Sequence, residues 1–282
     1  MTKAEKLKEF IRSALAEDIG LEDITTKAIV DNNKQGQARI IAKESGVLAG
    51  IEIIKQIFNF LEDKVRFESV YKDGDKISTN DTIIKIRGSI STILKGERTA
   101  LNLLSHLSGI STLTAKYVEG VKGTRAKITD TRKTMPLLRF LEKEAVCAGG
   151  GINHRMGLYD MVLIKENHIQ AAGGIQKAIN NCKKYLFENQ LMVKIEVETT
   201  NLSQVREAIS CHVDQIMLDN MSLKTMKEAV KIISGRTVVE ASGRGSLKTI
   251  KSIAKTGVDL ISVGALTHSA PAFDFSLLIE GK

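Results

Sequence analysis

Between residues 130 and 169, five cationic or titratable side chains surround a run of three glycines. They are Arg132, Lys133, His154, Arg155 and Lys165. Arg132 and Lys133 follow the strand-like run AKITDT, and Lys165 ends the apolar run MVLI. The glycines, Gly149 to Gly151, come shortly before the histidine and allow close approach between backbone and ligand. The segment therefore predicts a binding site for a ligand with several negative charges.

The elements that must position this site alternate between strand and helix from about residue 126 onward. The strand-like segments are AKITDT, MVLIK, MVKIEVE, QIMLDN, TVVEAS and LISVGAL, and helical patterns lie around residues 137–148, 175–186, 203–210, 222–233 and 246–255. Repeated strand–helix units predict a parallel sheet covered by helices, either closed into a barrel or open and doubly wound. Arg139, Glu142 and Lys143 fall in the first helical pattern, which we interpret as an ordinary helix surface.

Charged and small residues collect where these strands end, which is where ligands bind in parallel α/β folds. Besides Arg132, Lys133 and Lys165, the strand ends carry Glu196, Glu198, Asp219, Glu240, Ser242 and Gly264. In MVKIEVE, Lys194, Glu196 and Glu198 alternate with apolar residues and so share one face. That face must point into a polar lumen, because burying unpaired charge is costly. A purely structural lattice of salt bridges is the alternative.

The first part of the chain shows a different pattern. Residues from about 20 to 95 have the alternation and turn signals of strands, and ERTALNLLSHLSGISTLTAKYVEGV then has an apolar stripe at helical spacing. The charged segment MTKAEKLKEFIRSALAEDIG predicts an amphipathic packing helix rather than a signal peptide. A length of 282 residues predicts two domains, with one barrel plus an appendage as the alternative.

Composition narrows the classes of function. The net charge of +8 favours an acidic partner, but Trp is absent and aromatic residues are only 4%, which argues against nucleic-acid binding by base stacking. No apolar run approaches the roughly 20 residues that span a bilayer. Cys147, Cys182 and Cys211 have no metal-ligand spacing, and we expect buried, reduced thiols in a cytoplasmic protein. The expected partners are small anionic molecules, with no nucleic acid and no membrane.

Several motifs occur in an order and spacing that is unusual when they are taken together. They are ERTALNLLSHLSGIST, DTRKTMPLLR, AGGGINHRMGLYDMVLIKENHI, KIEVE, IMLDN, EASG and ISVGALTHS. In this set the chain resembles the quinolinate phosphoribosyltransferase family of NAD biosynthesis over nearly its whole length. The resemblance implies the α/β fold of type II phosphoribosyltransferases, with an N-terminal α/β sandwich domain at 1–108 and a C-terminal, open or irregular α/β barrel of parallel strands at 109–269. A tail of about 270–282 is expected to pack back on the first domain.

The resemblance also implies the reaction and its residues. Phosphoribosyl would pass from phosphoribosyl pyrophosphate to quinolinate with loss of CO2, giving nicotinate mononucleotide and pyrophosphate. The implied catalytic residues are Lys133, Lys165, Glu196 and Asp219, and the last two would also face Mg²⁺ on the sugar donor. The implied substrate-binding residues are Arg98, Thr131, Arg132, Lys133, His154, Arg155, Lys165, Ser242, Gly243, Arg244, Val263, Gly264 and Ala265. Arg98 would serve the partner subunit of a homodimer with shared active sites, and a trimer of dimers is a further assembly compatible with the family.

The chemistry of the substrates agrees with these residue types. Two carboxylates, a phosphate and a pyrophosphate need several cations in a confined space, and the planar fork of arginine suits carboxylates. Two positions depart from the family: Met135, Pro136 and Leu137 stand where T-P-G is common, and Arg244 stands where Gly or Asn is common. Roles for His106, His168 and His268 stay open. The alternatives are a molybdenum-operon homologue of the same fold, against which Lys165 argues, and a catalytically silent anion-binding scaffold.

Overall fold

The computed structural model describes residues 2–31 and 34–280. Its helices are α1 (Lys3–Ile19), α2 (Ile24–Ile29), α3 (Ile51–Leu61), α4 (Ile90–Gly120), α5 (Arg139–Ala148), α6 (Glu166–Ala172), α7 (Ile175–Glu188), α8 (Leu202–Ser210), α9 (Leu223–Ile233), α10 (Ile250–Ala254) and α11 (Ala265–His268). Its strands are β1 (Gln35–Ala42), β2 (Gly46–Val47), β3 (Arg66–Glu68), β4 (Lys76–Ile77), β5 (Thr82–Ser89), β6 (Lys127–Thr129), β7 (Val162–Ile164), β8 (Ile195–Thr199), β9 (Gln215–Asp219), β10 (Val238–Ser242), β11 (Leu260–Ser262) and β12 (Phe275–Glu280).

The chain groups into two compact units. The first comprises Met1–Leu113, Pro136–Gly150 and Ala270–Lys282, and the second comprises Thr114–Met135 and Gly151–Ser269. The sequence analysis assigned residues 136–150 to the second domain, whereas in the structure this segment belongs to the first unit. The boundaries 1–108 and 109–269 themselves stay a prediction.

The first unit is built on an antiparallel sheet with the strand order β12-β1-β5-β3. The C-terminal strand β12 pairs with β1 along its length. At the N-terminus, α1 begins at a capping box in which the Glu5 amide donates to Thr2 Oγ1 and the Thr2 amide donates to Glu5 Oε2. Helix α1 then buries Leu7, Ile11 and Leu15, as the amphipathic pattern predicts.

Two predictions about the first unit are wrong. The region from about 20 to 95 is not made of strands and turns alone, because α3 buries Ile51, Ile53, Ile54, Ile57 and Phe58. β-Branched residues favour strands when read singly, and helical burial overrides this preference here. On α5, Glu142 and Lys143 are fully buried and do not form a helix surface. The Glu142 carboxylate lies 2.7 Å from His106 Nε2, and this contact gives His106 a partner within the unit.

The second unit is a six-stranded parallel sheet with the order β6-β11-β10-β9-β8-β7. It confirms the predicted α/β fold with a sheet of parallel strands. All the strand-like segments of the sequence analysis become strands, while the short α6 was not predicted. Beside β6, Ile152 forms a parallel bridge with Thr129 and brings the segment after the glycine run to the end of that strand. Lys194 precedes β8 and is exposed, so it does not share the interior face with Glu196 and Glu198.

The cysteines are free thiols, but only Cys211 is buried. Cys182 is partly buried and Cys147 is exposed, so the expectation of buried thiols is wrong for Cys147. Among residues 2–31 and 34–280, no helix is both long enough and apolar enough to cross a lipid bilayer.

Candidate active site

A cavity of about 690 Å³ opens at the carboxyl ends of the parallel strands in the second unit. The predicted site residues that line it are Thr131, Arg132, Lys133, His154, Arg155, Lys165, Asp219, Ser242, Gly243, Arg244, Val263, Gly264 and Ala265. Glu198 and Glu240, which the sequence analysis placed at strand ends, also line it, as does His268, whose role was left open; the lining residues that were not predicted are Leu163, Met217, Asn220, Gly245 and Ser262. The strand ends are level because Ser242 lies in register with both Asp219 and Ser262. Two predicted residues do not line this cavity: Arg98, which lies on α4 in the first unit, and Glu196.

Arginines from two separate segments converge on one side of the cavity. Arg132 follows β6, and Arg155 follows the Ile152 bridge. Burial lowers the pKa of Arg155, and the positive charge of Arg132 lowers it further, while Glu196 and Asp160 oppose this shift. Two guanidinium groups that repel one another without a ligand are stabilised by an anion between them. This side of the cavity is therefore suited to carboxylates.

Lys165 lies at the junction between β7 and α6. Its Nζ is 2.9 Å from Glu198 Oε2, and its side chain is 49% exposed. The Lys165 amide donates to His168 Nδ1 at 3.0 Å, so His168 fixes the backbone that carries the lysine. The ion pair keeps the ammonium oriented in the cavity, and its solvent exposure leaves it available to a ligand.

Lys133 packs against the turn that follows β11. Its carbonyl accepts from Thr267 Oγ1 at 2.7 Å, and its amide donates to Thr131 Oγ1 at 3.0 Å. A Cβ at Gly264 would stand 3.1 Å from Lys133 Cδ and 3.1 Å from His268 Nε2. The glycine therefore lets a lysine and a histidine meet over one turn.

A buried polar cluster, which we call the floor cluster, forms the base of the cavity, which two of its members, His154 and Glu240, line. It consists of His154, Glu196, Gln215 and Glu240. His154 Nε2 lies 3.0 Å from Glu196 Oε2 and 3.4 Å from Glu240 Oε2. The Gln215 amide donates to Glu196 Oε1 and to Glu240 Oε2, both at 2.8 Å.

The carboxylates of the floor cluster change the acid–base behaviour of the histidine. Burial lowers the pKa of His154, whereas hydrogen bonds to Glu196 and Glu240 and their negative charges raise it. Burial also raises the pKa of Glu196, against hydrogen bonding from His154. The Arg155 amide opposes protonation of Nδ1, because Nδ1 accepts its N–H at 2.7 Å, so the proton that the carboxylates stabilise lies on Nε2.

The prediction that Glu196 faces the ribose and Mg²⁺ is wrong in its geometry. Glu196 is fully buried, and its oxygens are bonded to His154 and Gln215 below the cavity. Glu198 shares the same strand face but lies two residues, roughly 6.6 Å, closer to the carboxyl end of β8, and it lines the cavity. The sequence pattern already placed both glutamates on this face. Only strand register could show which of them reaches the ligand.

The end of the cavity away from Arg132 and Arg155 is lined by two backbone turns. Gly243 has φ 81° and Arg244 has φ 56°, both in the left-handed region. A Cβ at Gly243 would stand 2.2 Å from Asn220 Oδ1, so no other residue fits there without displacing Asn220. The Arg244 carbonyl accepts from Thr249 Oγ1 at 2.9 Å, which anchors this turn. The Gly243–Gly245 turn and the Gly264–Ala265 turn together form a concave surface that exposes backbone to the cavity.

The two departures from the family pattern occur where the backbone is left-handed. Leu137 has φ 67° and Arg244 has φ 56°. Glycine and asparagine adopt this conformation readily, whereas other residues are strained in it. Glycine would fit both positions without strain, and Leu137 and Arg244 adopt the same conformation at some cost in backbone energy.

The arrangement combines cations for a polyanion with carboxylates that face the same space. Mg²⁺ is held in proteins by one or two carboxylates together with substrate oxygens and water. Glu198 and Asp219 both line the cavity and fit this requirement, and Asp219 Oδ2 is oriented by the Asn220 amide at 2.8 Å. The buried Glu196 does not fit it.

Comparisons with known proteins agree over the whole chain. The family models described as quinolinate phosphoribosyl transferase, N-terminal domain and C-terminal domain, match residues 23–108 and 110–278. The mitochondrial quinolinate phosphoribosyltransferase (decarboxylating) 2b of Nicotiana tabacum is 42% identical over 97% of this chain and 82% of its own length. A probable nicotinate-nucleotide pyrophosphorylase (carboxylating) of Bacillus subtilis is 42% identical over 96% of this chain and 93% of its own. The crystal structure of NadC from Streptococcus pyogenes superposes with a TM-score of 0.94 at 41% identity, covering 100% of this chain and 99% of that one.

Proposed function

The chain belongs to the quinolinate phosphoribosyl transferase family, and we propose that the cavity at its parallel strand ends carries out that family's reaction. The enzyme transfers phosphoribosyl from phosphoribosyl pyrophosphate to quinolinate, with decarboxylation, and so makes nicotinate mononucleotide for pyridine nucleotide biosynthesis. One observation supports the cavity as the site: cations from four segments and three carboxylates line one 690 Å³ space. A silent scaffold would not need both signs of charge there. The relatives likewise give no support to a molybdenum-operon homologue.

Quinolinate is assigned to the arginine side of the cavity. Arg132 and Arg155 match its two carboxylates as planar forks, and Lys165 adds a compact positive charge. Lys133 lies between this side and the backbone turns, where it can neutralise both substrates. Because these cations would lose their partners if one carboxylate were missing, the site should discriminate strongly against monocarboxylated pyridines.

Phosphoribosyl pyrophosphate is assigned to the opposite end. The turns at Gly243–Gly245 and Gly264–Ala265 suit its 5′-phosphate, and Arg244 adds a cation there. Glu198 and Asp219 face the ribose between the two ends. These two carboxylates would also hold Mg²⁺, which would supply charge neutralisation of the pyrophosphate when bound.

The residues act by positioning and by electrostatics, and no covalent nucleophile is needed. The pyridine nitrogen forms a bond to ribose C1 as the C1–oxygen bond breaks and pyrophosphate leaves. Glu198 and Asp219 stabilise the positive charge that develops on the ribose. The C2–carboxylate bond then breaks and CO2 leaves; the bonding electron pair stays on C2, where the adjacent positively charged nitrogen stabilises it until C2 takes up a proton. Alignment of the two reactants contributes about 7–11 kcal/mol in favourable cases.

We also propose a homodimer in which Arg98 of the partner subunit completes each cavity, and a cytoplasmic location. The assembly proposal rests on the family resemblance and on the position of Arg98 on α4, outside the set of cavity-lining residues. Mass photometry tests the assembly. Fractionation of the source cells tests the location.

A comparison of substrates tests the proposed activity. The purified protein is supplied with phosphoribosyl pyrophosphate, Mg²⁺ and either quinolinate or nicotinate, and formation of nicotinate mononucleotide is followed. We expect kcat/KM for quinolinate to exceed that for nicotinate by at least about 10⁴-fold. Comparable turnover of nicotinate would contradict the assignment of the arginine side of the cavity to a dicarboxylate.

A further inference from the structure

Two members of the floor cluster, His154 and Glu240, line the cavity, and the cluster is also bonded to the backbone of another lining residue, Arg155. His154 uses both ring nitrogens: Nε2 faces Glu196 and Glu240, and Nδ1 accepts the Arg155 amide at 2.7 Å. The His154 backbone is held separately, because its amide donates to the buried Asp130 Oδ1 at 2.9 Å. The imidazole therefore connects two buried carboxylates to the backbone of Arg155 by hydrogen bonds on both sides of the ring.

The geometry assigns a location to the protons of the cluster. An Nδ1 that accepts the Arg155 N–H carries no proton, so the ring proton lies on Nε2 and points at Glu196 and Glu240. Glu240 Oε1 is buried and has no hydrogen-bond partner among the described residues. The His154 Nε2–H group and the Gln215 amide together provide donors for the other three oxygens of the carboxylate pair.

A cation is the competing occupant, because ligand atoms of His154, Glu196 and Glu240 all lie within 4.8 Å of one another. Gln215 argues against it. Its amide nitrogen donates to both carboxylates at 2.8 Å, and this places N–H groups beside the oxygens that a cation would need. The carboxylate oxygens of the cluster are thus positioned to accept N–H hydrogen bonds rather than to bind a metal ion.

We propose that Glu196 and Glu240 are positioning residues that act through His154: they hold the imidazole in the orientation that fixes the Arg155 backbone, and so fix where Arg155 meets a substrate carboxylate. Arg155 is tethered at its far end too, since its guanidinium donates to the Met161 carbonyl at 3.2 Å. A small rotation of the imidazole would release the first tether and leave the second. This inference rests on the proposed function only in naming the carboxylates as those of quinolinate.

The test uses the isosteric variants Glu240→Gln and Glu196→Gln in the full-length protein. The matched control is Glu188→Gln, on the exposed surface of α7, where the carboxylate pairs with Lys184. In Glu196→Gln, an N–H group replaces one of two accepting oxygens and faces either Nε2–H or the Gln215 amide, so the ring must rotate or flip. Glu240→Gln can keep its oxygen at the Oε2 position and loses only the negative charge. We expect KM for quinolinate to rise about 10-fold to 100-fold in Glu196→Gln, and less in Glu240→Gln, while KM for phosphoribosyl pyrophosphate stays within about twofold. Equal rises in both KM values, or no rise in either, would overturn the positioning role.

A second measurement does not depend on activity or on the folding of a variant. Nitrogen-15 spectra of the parent protein, with the His154 signals assigned by His154→Gln, report the protonation of each ring nitrogen between about pH 6 and pH 9. The charged and titratable groups around the ring are Glu196 on β8, Glu240 on β10 and Arg155 in the same loop, with Asp130 on its backbone. We expect Nε2 to stay protonated and Nδ1 to stay unprotonated throughout. An imidazole that titrates near its ordinary value of about 6.5, or a stoichiometric metal ion found by elemental analysis, would overturn the inference.

The two failures can be told apart. If the parent protein does not turn over quinolinate, the proposed function fails, and the spectra still decide whether the carboxylates orient His154. If the parent is active and the spectra show a freely titrating ring, the positioning role fails alone.

Discussion

Replacement of Lys165 by alanine should separate catalysis from stability. The Lys165 ammonium pairs with Glu198 at 2.9 Å, but its side chain is 49% exposed, and exposed ion pairs contribute on the order of 0–1 kcal/mol to stability. Unfolding should therefore cost nearly the same free energy in Lys165→Ala, and the melting temperature should shift by no more than about 4 °C. The fold does not depend on this side chain.

Activity should respond much more strongly. Loss of a charged partner in a desolvated complex costs about 2–5 kcal/mol, because the substrate carboxylate is left without its cation. This corresponds to a fall in kcat/KM of about 30-fold to several thousand-fold. Steady-state formation of nicotinate mononucleotide measures the loss, and circular dichroism measures the melting temperature.

Lys184→Ala is the matched control for this experiment. Lys184 is also a lysine in an ion pair, with Glu188 on α7, but its side chain is 75% exposed and it does not line the cavity. We expect it to keep parental activity. If Lys165→Ala melted far below the parent and its folded fraction kept full kcat/KM, the lysine would be structural and the assignment of the arginine side would be wrong.

Two further predictions follow from the proposed site. Gly243→Ala should raise KM for phosphoribosyl pyrophosphate at least about 10-fold, because its Cβ would stand 2.2 Å from Asn220 Oδ1, and an unchanged KM would remove the turn from the donor site. Arg98→Ala and Lys165→Ala should each be nearly inactive alone, but an equal co-refolded mixture should recover roughly a quarter of parental activity. About half of the dimers in the mixture contain one subunit of each variant, and each of these mixed dimers has one intact site. If verified mixed dimers showed no recovery, Arg98 would belong to its own subunit's site.

The sequence was sufficient to predict the strands and helices in which apolar residues recur at a regular spacing. Residues such as Arg132, Lys165 and Asp219 lie where strands end, and parallel strands bring their ends to one edge, so their convergence in a cavity follows from the pattern. Glu196 and Glu198 show the limit of that reasoning. Alternation puts both on one face, but depth within the face depends on the register of β8 against β9, where Glu196 lies opposite Gln215 and Glu198 lies opposite Met217.

Other failures have a similar origin in tertiary contacts. The isoleucine-rich segment of α3 has strand-like composition, and only its burial pattern identifies the helix. Glu142 reads as a surface residue because nothing in its neighbourhood predicts His106 as its partner, 36 positions away. The floor cluster was missed for the same reason, since its four members come from four segments that only the fold brings together.

The most direct test of the account is the stoichiometry of the reaction. Quinolinate labelled in the 2-carboxylate is incubated with phosphoribosyl pyrophosphate, Mg²⁺ and the purified protein, and labelled CO2 and nicotinate mononucleotide are measured together. The account predicts one CO2 for each nicotinate mononucleotide, with loss of both products in Lys165→Ala. A folded protein that released neither product, or that formed a mononucleotide without releasing the label, would contradict it.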